Sequence, residues 1–533
     1  MKLSVKTLAE LPGAAAAAFG SRAAVVGDSE RVTYRELGDQ VRRAARAFIG
    51  LGLEHGDRVA IWAQNLHEWI VAALGAQSVG GVLVPLNTRY KGEEAAYILR
   101  KSGARVLCTV DEFLGVRFLD LLRGAAGSPT PSRPVADLEQ LTDVVLLRGE
   151  SLEATRAWGD FLALGDAVES ESLVGRTESV GPEDLCDILF TSGTTGLPKG
   201  VMTSHAQALR STDCWIEAVG LRTEDRYLIV NPFFHVFGYR SGWLASLLQG
   251  TTIYPEPVLD IPRVLAQVEQ QRITVLPGPP TLYQSILAHP DLGNFDLTSL
   301  RLGITGAAAI PIELVRSAHE RLGFESFSTG YGLTENSGTA TMTRPSDEFE
   351  TVATTSGRPI ANVELEIVDA DGSELPAGSP GEILLRGPNV MRGYYNDPEA
   401  TAEAVDAEGW LHTGDVGVLD AAGNLKVTDR IKDMLIVGGF NVYPAEVESV
   451  LSAHPAVVHV AVVGVADERL GEVGRAFVVR SQGDPTSAEE LLAWARERMA
   501  NFKVPRSVEF LDELPMTPSG KVQKHLLRDL GAR

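Results

Sequence analysis

Residues 190 to 200 read FTSGTTGLPKG, with four hydroxyl side chains in five positions, three glycines and a lysine. Glycines bring backbone N–H groups close to an anion, hydroxyls add donors and a lysine adds charge, so the run is suited to phosphate. It is not a Walker A loop, which needs four residues between its glycines and a hydroxyl directly after its lysine. Here two residues separate Gly193 from Gly196, and Lys199 is followed by Gly200. Most Gly/Ser/Thr-rich stretches are plain surface turns. The apolar segment DILF (187 to 190) just before this one reads instead as a strand delivering a loop to a site.

The elements that would position such a loop can be read from periodicity. From Val32, helix-like stretches such as TYRELGDQVRRAARAFIGLG alternate with short buried runs such as DRVAIWA, and the alternation recurs at HEWIVAALGAQSVGGVLVPLN and YILRKSGARVLCTV. That succession predicts parallel strands joined by crossover helices, an α/β core. After about residue 355 the texture changes to short β-rich runs separated by Asp-Gly, Pro-Gly and Gly-Asn turns. A compact α+β piece follows, with a helix N-capped by Ser487. The expected organisation is a large N-terminal domain, residues 1–431, made of α/β subdomains to about 355 and a small β subdomain over about 356–431. A small mobile α+β domain over 432–533 completes it. The segment 124 to 134, GAAGSPTPSRP, reads as a solvated loop.

Composition narrows the chemistry. A chain of 533 residues exceeds one ordinary core of ~150 residues. A formal charge of −22 argues against nucleic acid or an anionic membrane surface as partner, because neutralising phosphates requires clustered Lys and Arg. A bound polyanion would need a local pocket with a cation helping to cancel charge. Cys108, Cys186 and Cys214 lack paired spacing and are expected to be buried small side chains in a reducing compartment. LPGAAAAAFG (11 to 20) is expected to be a first helix and not a signal peptide, since Glu10, Pro12 and Arg22 break the pattern. No run reaches the ~18 apolar residues of a membrane-spanning helix, so the expected place is the cytoplasm. None of the ten histidines suggests a metal site, since His67-Glu68 lacks the second histidine of H-E-x-x-H.

Seven stretches in order carry a resemblance: FTSGTTGLPKG (190 to 200), NPFFHVFG (231 to 238), GITGAAAIP (303 to 311), STGYGLTE (328 to 335), GWLHTGD (409 to 415), TDRIKDMLIVGGFNVYPAEVE (428 to 448) and PMTPSGKVQK (515 to 524). Over essentially its whole length the chain resembles the adenylate-forming superfamily of acyl-CoA synthetases, luciferases and peptide-synthetase adenylation domains. The resemblance implies that ATP activates a carboxylic acid as its acyl-adenylate and that CoA then opens it to a thioester. It implies that Thr191, Ser192, Gly193, Thr194, Thr195 and Gly196 donate to the pyrophosphate end of ATP and that Lys199 adds charge. Gly306, Ala307 and Ala308 would let the purine approach the backbone, Tyr331 in the Gly332-containing GYG turn would lie against adenine, and Thr334 would reach the α-phosphate. Glu335, with Thr194, would hold Mg²⁺. Asp415 would bind the ribose diol with Arg430 beside it, and Lys521 would enter from the small domain to touch the acid and the α-phosphate. Lys432 matches the hinge, Gly438 and Gly439 the pantetheine tunnel, and His235 an aromatic gate.

Among the family's activities, NPFFHVFG contains no aspartate to hold an amine and the chain ends at Arg533 without a carrier module, so CoA is the expected acceptor. A non-catalytic nucleotide-binding regulator would be expected to lack Lys521 or Glu335, and both are present. PFFHVFGYRSGWLASLLQG, ITVLPGPPTLYQSIL and TVATTSGRPIANVELEIVD resemble the actinobacterial fatty-acyl-type ligases of steroid-ring catabolism, which implies a hydrophobic acid such as an indane-dione propanoate. A medium- or long-chain fatty acid is the alternative, and an aryl or amino acid loaded onto a carrier protein a more distant one. Phe233, Phe234, Phe237, Trp243 and Tyr283 read either as the apolar lining of such a pocket or equally as ordinary core. Whether the chain forms a homodimer stays open.

Overall fold

The computed structural model describes residues 2–28, 30–191, 198–306, 312–430, 433–437, 440–467, 470–499, 501–516 and 522–531. The chain forms two compact units, Met1–Glu364 with Leu385–Leu411, and Leu365–Leu384 with His412–Arg533. The division falls inside the β-rich stretch, where the sequence pointed to residue 431.

In the large unit the predicted alternation becomes two sheets. The first has the strand order Gly393–Tyr394, Lys199–Ser204, Leu185–Thr191, Val82–Pro85, Arg58–Trp62, Val106–Val110, Asp143–Arg148 and Arg156–Ala157. Its centre is parallel, Arg58–Trp62 lying between Val82–Pro85 and Val106–Val110. Those strands are buried along nearly their whole length, only Arg58 at the start being partly exposed, the pattern of a sheet covered on both faces. The second sheet runs Arg358–Pro359, Thr341–Met342, Ser326–Tyr331, Leu302–Gly306, Val275–Pro277, Arg226–Ile229, Thr252–Pro255, Ala23–Val26 and Arg31–Thr33.

One helix start shows a full capping box. Thr33 opens the helix Tyr34–Gly50: its hydroxyl accepts from Glu36 N at 3.2 Å while its own N–H donates to Glu36 Oε2 at 2.8 Å. The helix buries Leu37, Val41, Ala44, Ala45 and Phe48, the three-and-four spacing of an inward face. The alanine-rich segment near the start forms the helix Leu11–Phe19. Cys108 and Cys186 are buried, Cys214 is partly exposed, and all are free thiols. The helix Phe118–Ala126 takes up the first residues of the predicted 124 to 134 loop. Among the described residues no helix is long and apolar enough to cross a membrane.

The small unit takes most of the predicted β-rich segment, a sheet ordered Glu364–Val368, Gly381–Arg386, Leu411–Leu419 and Leu425–Arg430. Its α+β part is built on the long antiparallel pair Val457–Asp467 and Gly471–Arg480. Val447, Leu451, Val462, Val478 and Leu491 form its core. Ser487 caps the helix Ala488–Arg496 as expected, accepting from Glu490 N at 3.2 Å.

Candidate active site

Strand Leu185–Thr191 delivers the glycine-hydroxyl loop, and Lys199–Ser204 takes the chain back antiparallel to it. The register sets Thr191 opposite Lys199 and Phe190 opposite Gly200, and the Thr191 hydroxyl donates to Lys199 O at 3.5 Å. Thr191 and Lys199 therefore close the neck of the loop. Ser192, Gly193, Thr194, Thr195 and Gly196 lie outside the described residues.

A second approach comes from the other sheet. Leu302–Gly306 and Ser326–Tyr331 run parallel with Gly306 opposite Gly330, and a Cβ on Gly306 would stand 3.0 Å from Gly330 O. Only a residue without a side chain leaves this edge flat. Gly332 is more constrained, since a Cβ there would stand 2.3 Å from Gly338 O. The chain then makes the single turn Thr334–Asn336, closed by Ser337 at φ +60° and by Leu333 N donating to Asn336 Oδ1 at 2.8 Å. A left-handed serine costs on the order of 1 kcal/mol, and it aims the turn.

A third segment, residues 389–394 in the β-rich stretch, grips that turn. Ser337 Oγ donates to Asn389 O at 3.0 Å and Met391 N donates to Glu335 O at 2.8 Å. Tyr394, paired with Val201 on the loop's return strand, donates its phenol to Glu335 Oε1 at 2.9 Å. Lys199 Nζ lies 5.0 Å from the centre of the same ring. Burial first, then the charge of Glu335 and the bond to it, push the Tyr394 phenol far above its usual value, so it stays a donor at neutral pH. The structure thus brings Thr191, Lys199, Gly306, Tyr331, Gly332, Thr334 and Glu335 into one unit. Tyr394 joins two of them and was missed; its signal was a Gly-Tyr-Tyr run ending the β-segment, with no spacing rule to pair it to Lys199 or Glu335.

Other expectations fare differently. His235 is exposed, not packed in the core; its Nδ1 accepts from Phe237 N at 3.2 Å, so the neutral ring carries its proton on Nε2. Phe233, Trp243 and Tyr283 are fully buried. Trp243 stacks on Tyr239 at 4.6 Å and meets Trp69 edge-on. Tyr283 packs against Phe324 and Phe327, with its hydroxyl on Leu276 O at 2.6 Å. These three aromatic residues pack against other rings as core, and Phe234 and Phe237 alone of the five are partly exposed. In the small unit Asp415 is buried and its Cα partner on the neighbouring strand is Arg430, so the two expected ribose residues occupy one register position. Ala307, Ala308, Lys432, Gly438, Gly439 and Lys521 lie outside the described residues.

His67 does meet Glu30 and Glu68, and the three offer ligand atoms within 4.8 Å of one another. Arg148 already bonds both carboxylates, Glu30 at 2.8 Å and Glu68 at 2.9 Å, so this is an ion-pair cluster supplied with its own cation.

Residues 13–395 match the AMP-binding enzyme family, and residues 446–521 match the AMP-binding enzyme C-terminal domain. The chain belongs to the AMP-binding enzyme family. Among its relatives is the 3-[(3aS,4S,7aS)-7a-methyl-1,5-dioxo-octahydro-1H-inden-4-yl]propanoyl:CoA ligase of Mycobacterium tuberculosis, 49% identical over 95% of this chain and 96% of that one. The ligase of the same name from Rhodococcus jostii is 47% identical over 97% of both chains. The crystal structure of the anthranilate CoA ligase AuaEII in complex with anthranoyl-AMP superimposes with a TM-score of 0.87 at 29% identity, covering 98% of this chain and 97% of that one. This member of the AMP-binding enzymes is an ATP-dependent, AMP-forming acyl-CoA synthetase, with a carboxylic acid, ATP and CoA as its substrates.

Proposed function

We propose that the acid is a bulky alicyclic propanoate of the indane-dione type, activated in the cytoplasm. The observation that carries this reading is near-half identity, end to end, to two ligases whose names specify that one acyl group. A carboxylate repels nucleophiles and has no good leaving group. Attack of its oxygen on the α-phosphate of ATP, with pyrophosphate leaving, supplies both missing properties, and the CoA thiol then displaces AMP.

Phosphoryl transfer of this kind depends on donors and positive charge placed around a loose transition state. In this reading the 191–196 loop and Lys199 hold the departing pyrophosphate, and Thr334 contacts the α-phosphate. Tyr331, the flat edge at Gly306 and the small residues Ala307 and Ala308 take adenine, while Asp415 and Arg430 take the ribose. Glu335 and Thr194 offer hard oxygen donors of the kind Mg²⁺ prefers, and the ion bound with ATP supplies charge neutralisation that a chain of net charge −22 cannot spare elsewhere. His235, on the exposed turn before Phe237, gates the acid. Lys521 serves adenylation, Lys432 is the pivot, and Gly438 and Gly439 leave a narrow path for pantetheine during thioester formation.

Pyrophosphate release measured over alicyclic, aryl and straight-chain acids tests the substrate. The indane-dione propanoate should give the highest kcat/KM. A preference for straight-chain medium- or long-chain acids would replace it with the fatty-acid reading.

A further inference from the structure

The carboxylate of Glu335 and the ammonium of Lys199 have opposite charges and flexible stems, and both touch Tyr394. Among the described residues neither has an ion-pair partner. Left to themselves, two such groups would pair, and the pair would cancel the charges that a metal–nucleotide complex needs separately. The ring of Tyr394 supplies an alternative to each. Its face holds Lys199 Nζ at 5.0 Å from the ring centre, a cation–π contact. Its hydroxyl holds Glu335 Oε1 at 2.9 Å, fixing one oxygen and thereby the direction of the other.

The backbone around the ring is held on both sides. Arg392 N donates to Met202 O at 2.9 Å and Tyr395 N to Gly200 O at 2.7 Å, so the segment rides on the strand that begins at Lys199. Met391 N donates to Glu335 O, tying the same segment to the Thr334–Asn336 turn. Tyr394 is therefore fixed to the exit of the glycine-hydroxyl loop and to the Glu335 turn at once.

We propose that Tyr394 is a positioning residue that keeps Lys199 and Glu335 apart and presents the carboxylate to the cation of the metal–nucleotide complex. The proposal rests on the reading of Glu335 as the metal carboxylate given above. Tyr394→Phe keeps the ring under Lys199 and removes only the bond to Glu335; Tyr394→Leu removes both.

The test is binding without turnover. Mn²⁺ is titrated into the full-length enzyme saturated with α,β-methylene-ATP, with no acid or CoA, and free Mn²⁺ is followed by electron paramagnetic resonance. Tyr394→Phe should weaken Mn²⁺ binding roughly tenfold, the scale for removing a hydrogen bond to a ligating carboxylate, and leave metal-free analogue affinity within about twofold. Tyr394→Leu should weaken both, because Lys199 is then released to pair with Glu335. In a Glu335→Gln background Tyr394→Phe should cause no further loss. Unchanged Mn²⁺ affinity in Tyr394→Phe, or a full additional loss in the Glu335→Gln background, overturns the proposal. Failure of the unsubstituted enzyme to bind the analogue would instead overturn the assigned nucleotide site, and a near-native far-ultraviolet spectrum for each variant separates these outcomes from misfolding.

Discussion

Two polar clusters hang from the same strand, Leu185–Thr191, and are built by opposite rules. At its middle Asp187 is fully buried and pairs with Arg240 at 2.7 Å, while Cys186 Sγ donates to the same carboxylate oxygen at 3.1 Å. Arg240 lies over the Tyr239 ring at 4.3 Å, and Gln77 ties Cys186 O to the Tyr239 hydroxyl. At its end Thr191 is partly exposed and faces Lys199, which shares Tyr394 with Glu335. In the middle, every charge faces an opposite charge across a short bond. At the end, charges are held by a ring and a hydroxyl and kept from neutralising each other. A buried ion pair is worth little net and is costly to break, whereas a separated pair at a strand terminus can act on a ligand.

The sharpest way to break this contrast is to remove one charge from each cluster. Glu335→Gln should lower acyl-adenylate formation by on the order of 10²- to 10³-fold, the scale for deleting a group that stabilises developing charge, with the thermal unfolding midpoint unmoved. A midpoint that falls with activity would make Glu335 a structural residue like Asp187. Arg240→Met should do the converse, costing about 3–5 kcal/mol of stability by leaving Asp187 buried and uncompensated. Adding Asp187→Leu should recover most of that in a urea titration; a double variant no better than Arg240→Met would show that packing, not charge, holds the middle of the strand.

A smaller effect lies next to the buried cluster. His205 is fully buried and its Nδ1 accepts from Leu8 N at 3.1 Å. Burial above all, with Arg240 and His55 adding and Asp184 opposing, pushes its pKa down to about 4 from 6.5. The folded state thus binds fewer protons than the unfolded chain between those values. Stability is fully present above about pH 6.5 and falls as pH drops toward 4, by up to ~3 kcal/mol. Urea midpoints at pH 4.5 and 7.5 should differ less in His205→Gln than in the unsubstituted chain, and equal differences would assign the acid sensitivity elsewhere.

The contrast also marks what a sequence can show. The α/β alternation, the strand before the loop and the Ser487 cap were legible because each is a local pattern of periodicity or a cap signal. The register position shared by Asp415 and Arg430 follows an expectation that came from family resemblance, not from spacing. Tyr394 was not legible, because its role depends on a return strand almost two hundred residues earlier and a turn sixty residues earlier, by rough count along a chain whose side-chain period of 2 says nothing about which strand lies opposite. For Phe233, Trp243 and Tyr283 the sequence left pocket lining and ordinary core both open, for a related reason. An aromatic residue has the same type whether it faces a ligand or another ring, and only the Trp69, Tyr239, Phe324 and Phe327 rings around them decide between core and pocket.

The central claim is that the acid's own oxygen attacks the α-phosphate. Turnover with an acid labelled with ¹⁸O in both carboxylate oxygens tests it directly, by mass spectrometry of the products. One ¹⁸O should appear in AMP, one should remain in the thioester carbonyl, and none should enter pyrophosphate. Label in inorganic phosphate, or ADP as the nucleotide product, would contradict the account.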